Sequence, residues 1–168
     1  MRLSVFVLIM IVAGCTTSDQ YQITVEESGS KIVTGTFERS LLEQDPDFKS
    51  WFEFRYNEYE VDTTLLRDVI EDVQKIQYVV VAGTWCGDSK REIPHLLKIL
   101  DNLHTARDRV RFYGVDRSKK SNDGSTDLFQ IDRVPTIIVL KDGKEIGRIV
   151  ERPEETLEKD LVKILSPQ

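Results

Sequence analysis

The apolar positions along this chain divide into runs with two different periods. Between Asp45 and Tyr59, Phe48, Trp51, Phe52, Tyr56 and Tyr59 recur at steps of three and four, with Pro46 near the start. That spacing predicts an amphipathic helix. Its aromatic stripe could bind a partner, but packing on its own domain is the simpler role. Asp62 reads as the N-cap of a second helix with Leu65, Leu66, Val69, Ile70 and Val73 on its apolar side. "YVVVAG", residues 78–83, is nearly continuous and fits a strand buried on both faces. A helix is predicted from Cys86 to about Leu103, a strand at 110–115, and a polar loop leading to a short helix near Leu128. "TIIVL" at 136–140 and "EIGRIV" at 145–150 read as strands joined by a turn at Lys141-Asp142-Gly143-Lys144. A last amphipathic helix is predicted over Pro153–Leu165, with Leu157, Leu161, Val162 and Ile164 inward. Residues 21–37 alternate weakly around Ser28-Gly29-Ser30, as a hairpin or as loose extended segments.

Composition narrows the function. The 168 residues are 40% hydrophobic and 31% charged, which suits one globular domain of moderate size. The net charge of −6, with Lys and Arg scattered, argues against nucleic-acid binding. There is no apolar run of spanning length, no Gly-rich phosphate loop and no His/Cys cluster at zinc spacing. His95 and His104 stand nine residues apart, too far to share a face at ligand spacing, and both are expected to face solvent. No metal and no cofactor is implied.

The N-terminus carries an address. One Arg, an apolar run from Leu3 to Val12 and small residues form a signal-peptide pattern over 1–14. Val12-Ala13-Gly14-Cys15 resembles a bacterial lipobox, which implies cleavage before Cys15 and acylation of its thiol. An ordinary signal peptide, or a membrane-inserted start, with an incidental Cys is the alternative. Each buried lipid methylene contributes about 0.8 kcal/mol, so several chains would hold the protein on a membrane. Residues 15–22 then form the lipidated Cys and a polar tether, 23–61 an N-terminal extension, and 62–168 the main domain. Loss of Arg2 leaves 22 basic against 29 acidic residues, a mature charge of −7. The implied location is the bacterial cell envelope, with the domain outside the cytoplasm. Cys86 would then be the one free thiol.

The order from Asp62 is helix, strand, helix, strand, helix, strand, strand, helix. Together with Trp85-Cys86-Gly87-Asp88-Ser89, Pro94, Val134-Pro135-Thr136 and the Lys141-Asp142-Gly143 turn, it resembles a thioredoxin-like domain over residues 62–168. The resemblance implies the thioredoxin fold, an α/β architecture with a mixed central sheet flanked by helices, here with an N-terminal helical extension. It implies a cis Val134–Pro135 bond set against Cys86, and a client groove formed by Trp85, Gly87, Asp88, Val134, Thr136 and Glu151. The wider stretch to residue 161 also resembles thioredoxin-like proteins of bacterial envelopes. Two positions depart from the pattern. Ser89 stands where the family has its resolving cysteine, and Val80 where it buries an acidic proton acceptor. Both losses concern release of a mixed disulfide by internal attack.

Cys86, Ser89 and Pro135 are therefore the candidate catalytic residues. A thiol at a helix start faces unpaired N–H groups that stabilise negative charge on sulfur. Lys90 and Arg91 act in the same direction and Asp88 against it, while Ser89 one turn on is placed to donate its hydroxyl to the sulfur. The resemblance implies a monothiol redox protein whose clients are disulfide- or sulfenic-acid-bearing proteins or small thiols. An inert thiol, and a non-catalytic module holding a peptide beside Pro135, remain open. The Cys-Gly-x-Ser loops of monothiol glutaredoxins share four residues, but Asp88 replaces their aromatic residue and 146–155 lacks their glycine-rich turn. Glu151-Arg152-Pro153 either selects a partner or caps the final helix at Pro153.

Overall fold

The computed structural model describes residues 20–166. The expected signal peptide (1–14) and the lipidation site Cys15 lie outside the described residues. The strands are β1 (Gln20–Val25), β2 (Lys31–Phe37), β3 (Gln77–Ala82), β4 (Val110–Gly114), β5 (Thr136–Lys141) and β6 (Lys144–Val150). The helices are α1 (Arg39–Gln44), α2 (Pro46–Glu58), α3 (Thr63–Leu66), α4 (Ile70–Lys75), α5 (Gly87–Asn102), α6 (Ser125–Phe129) and α7 (Leu157–Leu165). Among the described residues the strands form one sheet in the order β1-β2-β4-β3-β5-β6. β3 and β4 are parallel and the other neighbours antiparallel.

β3 sits inside the sheet with helices on both faces, so its side chains are apolar on both. Tyr78 to Ala82 are all buried. The larger core layer packs Phe37, Phe112, Val80 and Ile137 against Ile93, Leu96, Leu97 and Leu100 of α5 and Leu161 of α7. Truncating one such side chain costs about 2–5 kcal/mol. The smaller layer, with Val79, Val81, Val115, Val134 and Ile138, lies beneath Trp85 and Cys86. α5 continues through Pro94, whose missing N–H removes the bond that residue would donate to the Lys90 carbonyl.

The segment expected as a separate extension joins the same sheet and core. Residues 20–37 form a hairpin, and β2 pairs with β4 through Gly35–Gly114 to Phe37–Phe112. A side chain at Gly114 would collide with the Val33 carbonyl, so the close crossing of β2 and β4 needs glycine there. Residues 20–22, expected to belong to the tether, lie in β1. The aromatic helix has its N-cap at Asp45, which accepts from the Asp47 N–H at 2.9 Å. Phe48 and Phe52 are buried, and Trp51, Tyr56 and Tyr59 pack against the core.

Three expectations are corrected. The helix capped by Asp62 is broken by a 3₁₀ turn at Arg67–Val69. The tighter turn shifts the register, so Leu66, Val69, Val73 and Ile76 face inward while Leu65 and Ile70 are exposed. The last helix starts at Leu157, with Thr156 accepting from the Lys159 N–H at 3.2 Å, so Pro153 does not cap it. Leu157 and Leu161 point inward as expected, joined by Leu165, whereas Val162 and Ile164 are only partly buried. His95 does not face solvent. Its side chain is 12% exposed and stacks on Tyr59 with ring centroids 4.1 Å apart.

Candidate functional site

The Trp85–Ser89 loop sits where β3 ends and α5 begins. Gly83 has no ladder partner for its N–H, and the buried Ser89 hydroxyl accepts that bond at 3.2 Å. Cys86 is the N-cap residue of α5 but makes no side-chain capping bond. Its thiol donates instead to the Val134 carbonyl at 3.3 Å, across the turn before β5. The Val134–Pro135 bond is cis. The expected Ser89-to-sulfur bond is therefore replaced by two others. Ser89 serves the backbone of its own loop, and Cys86 faces the proline turn. Val80, at the position where the resemblance would have an acidic residue, is buried among apolar neighbours.

A groove of about 360 Å³ opens at the thiol, lined by Trp85, Cys86, Lys119, Asp132, Arg133, Val134 and Glu151. It brings together Trp85, Cys86, Val134 and Glu151 of the residues named from sequence. It does not include Gly87, which is at the first position of α5, or Asp88, which is held by Arg91 at 2.7 Å and approached by Arg152 at 3.8 Å. Thr136 is also turned away. It is buried, and its hydroxyl donates to the Arg133 carbonyl at 2.7 Å. Pro135 contributes through its backbone, its carbonyl accepting from the Glu151 N–H at 2.7 Å. That bond brings the 151–153 connection beside the proline turn, and Glu151 pairs with Arg133 at 2.8 Å.

Sequence reasoning missed Lys119, Asp132 and Arg133, and no motif marked them. It also missed how Trp85 is held. The indole Nε1 donates to the Val115 carbonyl at 2.9 Å, and the Arg117 guanidinium lies 5.2 Å from the indole ring centre. Arg117 in turn makes two bonds to Glu26, at 2.6 and 2.7 Å. The β1–β2 turn thus braces the wall of the groove. The expected positive charge beside the sulfur is redirected. Arg91 is bound to Asp88 and Glu92, and Lys90 lines a separate hollow with Ser28–Lys31 and Trp51. Burial pushes the Glu92 carboxyl above its usual range, with Arg91 acting against it.

The loop that follows β4 is organised by Asp116. Its carboxylate accepts from the Ser118 hydroxyl at 2.7 Å and from the Ser118 and Lys120 N–H groups at 2.9 Å. The Ser118 hydroxyl, then the Lys120 N–H, hold this carboxyl below its usual range.

Among the described residues, no group of three His, Cys, Asp or Glu side chains is placed to hold a metal ion. A family model described as "Thioredoxin" matches residues 36–163. The chain belongs to the thioredoxin family. The match begins inside β2, so it takes in α1 and α2 as well as the segment that starts at Asp62. Mitochondrial thioredoxin-3 of Saccharomyces cerevisiae is 33% identical over 101 residues, 58% of this chain and 72% of that one. Thioredoxin H-type 1 of Nicotiana tabacum is 27% identical over 96 residues, 57% of this chain and 71% of that one. A solved protein of unknown function from Pseudomonas aeruginosa shares the fold, with a TM-score of 0.54 at 14% identity over 73% of this chain and 76% of that one.

Proposed function

We propose that this thioredoxin-family protein carries out thiol–disulfide exchange as a monothiol, through Cys86. The observation that carries the reading is the thiol itself. It opens into a groove beside a cis-proline turn, and the position one turn further on holds a serine committed to the backbone. The Cys86 thiolate attacks one sulfur of a client disulfide. A new S–S bond forms, the client's S–S bond breaks, and the leaving thiolate takes a proton from solvent. Ser89 cannot resolve this intermediate. An external thiol attacks the Cys86 sulfur and releases the client as a dithiol, and a second equivalent frees Cys86. The client has gained two electrons, and the two external thiols have become a disulfide.

Client binding rests on the backbone at the proline turn. The Val134 N–H has no hydrogen-bond partner among the described residues. An extended client strand beside Pro135 would satisfy it, as strand addition does. The same feature supports a second reading, a peptide-binding module without turnover. Cys86→Ser separates the two. Incubation with a disulfide-containing client peptide, followed by acid quench and intact-mass measurement, should show a mixed disulfide with the parent and none with the variant. Equal peptide affinity in both proteins with no adduct in either would leave the binding module as the function.

The location we propose is the bacterial cell envelope, with mature protein anchored through acylated Cys15 and facing away from the cytoplasm. The Val12–Cys15 motif supports it. Fatty-acid labelling should disappear in Cys15→Ala, and label retained in that variant would rule the anchor out.

A further inference from the structure

The charges around the redox loop are paired almost throughout. Arg117 is held by Glu26, Arg133 by Glu151, and Arg91 by Asp88 and Glu92. Lys119 is different. It lines the groove with Cys86, it is half-buried, and it pairs with no carboxylate among the described residues. Its backbone is left-handed, with φ at 62°, a conformation disfavoured for a residue other than glycine. The turn around Asp116 imposes it, with the Lys119 N–H donating to the Asp116 carbonyl at 3.0 Å and the Asp116 N–H to the Lys120 carbonyl at 2.9 Å. The lysine is thus presented from a braced turn. Asp132, on the same groove, is an exposed carboxylate that likewise has no cationic partner among the described residues.

Resting on the exchange reading of Cys86, we propose that Lys119 and Asp132 set the substrate class of this groove. It takes thiols and disulfides whose reacting sulfur is flanked by both a carboxylate and an ammonium group, as in an amino acid. The carboxylate pairs with Lys119 and the ammonium with Asp132 while the sulfur meets Cys86. The protein as a whole is acidic, at −6, and repels a free anion. An unpaired cation beside the thiol is what admits a carboxylate there. The half-buried lysine is less screened than the exposed aspartate, so Lys119 carries the larger share of the selection. In the exchange with cystine, one cysteine becomes disulfide-bonded to Cys86 and the other leaves as free cysteine after taking up a proton, so sulfur and electrons balance.

The test measures second-order loss of the Cys86 thiol with four probes at low ionic strength, in full chain carrying Cys15→Ala so that Cys86 is its one cysteine. The probes are cystine, 3,3′-dithiodipropionate, cystamine and hydroxyethyl disulfide, each scaled to its rate with an unstructured cysteine peptide. Cystine should lead the scaled series. Lys119→Gln should lower the ratio of cystine to hydroxyethyl disulfide about fivefold, and Asp132→Asn should lower it less. Lys119→Glu should move the preference toward cystamine. All three changes should shrink as salt is added. A ratio unchanged in Lys119→Gln, in protein with parental circular dichroism, overturns the inference while leaving Cys86 exchange standing. No adduct with any probe would overturn the exchange reading itself, and this inference with it.

Discussion

α5 carries a polar cluster at each end, and the two are built to opposite standards. At its C-terminal end Asp101 accepts two bonds from Arg39, at 2.8 and 2.7 Å, and a third from the Tyr56 hydroxyl at 2.6 Å. Arg39 also reaches Glu43 at 2.7 Å and lies over the rings of Phe52 and Tyr56. Burial works against the Asp101 carboxylate, but its bonds to Arg39 and Tyr56 outweigh that and hold it below its usual range. At the N-terminal end the Cys86 thiol, the Val134 N–H, Lys119 and Asp132 meet around an open groove with bonding capacity to spare. A cluster that satisfies itself fixes helix α2 and the N-terminal segment on α5. The incomplete cluster is where the proposed client would bind.

That contrast can be broken most sharply at Cys86. Cys86→Ser should abolish mixed-disulfide formation and leave the stability within about 1 kcal/mol of the parent by urea unfolding, because the serine hydroxyl can still donate to the Val134 carbonyl. A large loss of stability would mean that the thiol–Val134 contact is structural and that the two ends are alike. At the other end, Asp101→Ala should cost about 2–3 kcal/mol, less than the roughly 3–5 kcal/mol of a fully buried pair, because Asp101 keeps some exposure. Its rate of reaction with hydroxyethyl disulfide should match the parent once folding is complete. Slowed exchange in folded protein would show that the ends are coupled through α5.

Ser89→Cys sharpens the comparison within the site. Residues 86 and 89 are the N-cap and third positions of α5, the pair that face each other in a capping box. Oxidation should form an internal disulfide, read as the loss of both thiols in a chain that also carries Cys15→Ala. The variant should also reduce insulin with dithiothreitol modestly faster than the parent, since Val80 supplies no proton acceptor. Two thiols persisting in folded, oxidised protein would refute the geometry of the loop. The variant removes the hydroxyl that serves the Gly83 N–H, so about 1 kcal/mol of stability should go with it.

The smallest expected effect concerns His95, packed between α2 and α5. Burial lowers its pKa, with Arg55 and Arg91 adding to that and Glu58 opposing it. A histidine whose folded value lies below its unfolded value binds fewer protons when folded. Its contribution is intact above about pH 6.5, the unfolded value, and is lost as the pH falls below it. His95→Gln should therefore flatten the decline in urea midpoint between about pH 7.5 and 5.5, the range that brackets that value. An unchanged decline would assign it to other groups.

Local periodicity and motif make much of this protein legible in its sequence. The three- and four-residue steps of α2 and α5, the apolar run of β3 and the Lys141–Lys144 turn are encoded by neighbours in the chain. Asp142 and Gly143 take the left-handed angles that such a turn needs, with φ at 52° and 75°. Trp85 to Ser89 with Val134-Pro135 likewise mark the thiol and the proline turn against which it lies. The 3₁₀ break at Arg67–Val69 is not legible in this way, because either register places an apolar face inward and the packing of Leu66 and Val73 makes the choice.

What the site adds depends on partners far apart in the chain. Glu26 meets Arg117 across 91 residues, and the Val33 N–H reaches Thr84 across 51. No spacing rule specifies such pairs, because any of several exposed acids could have met Arg117 had β2 not paired with β4. Ser89 illustrates the same point at short range. Its identity announces a missing second thiol, but where its hydroxyl goes is decided by the Gly83 N–H left unbonded at the end of β3. Whether a given lysine is paired is likewise a property of what folds beside it. Lys119 and Lys120 are adjacent in sequence, yet Lys120 reaches Asp127 at 3.0 Å while the left-handed turn at Lys119 leaves the charge of Lys119 itself to the groove.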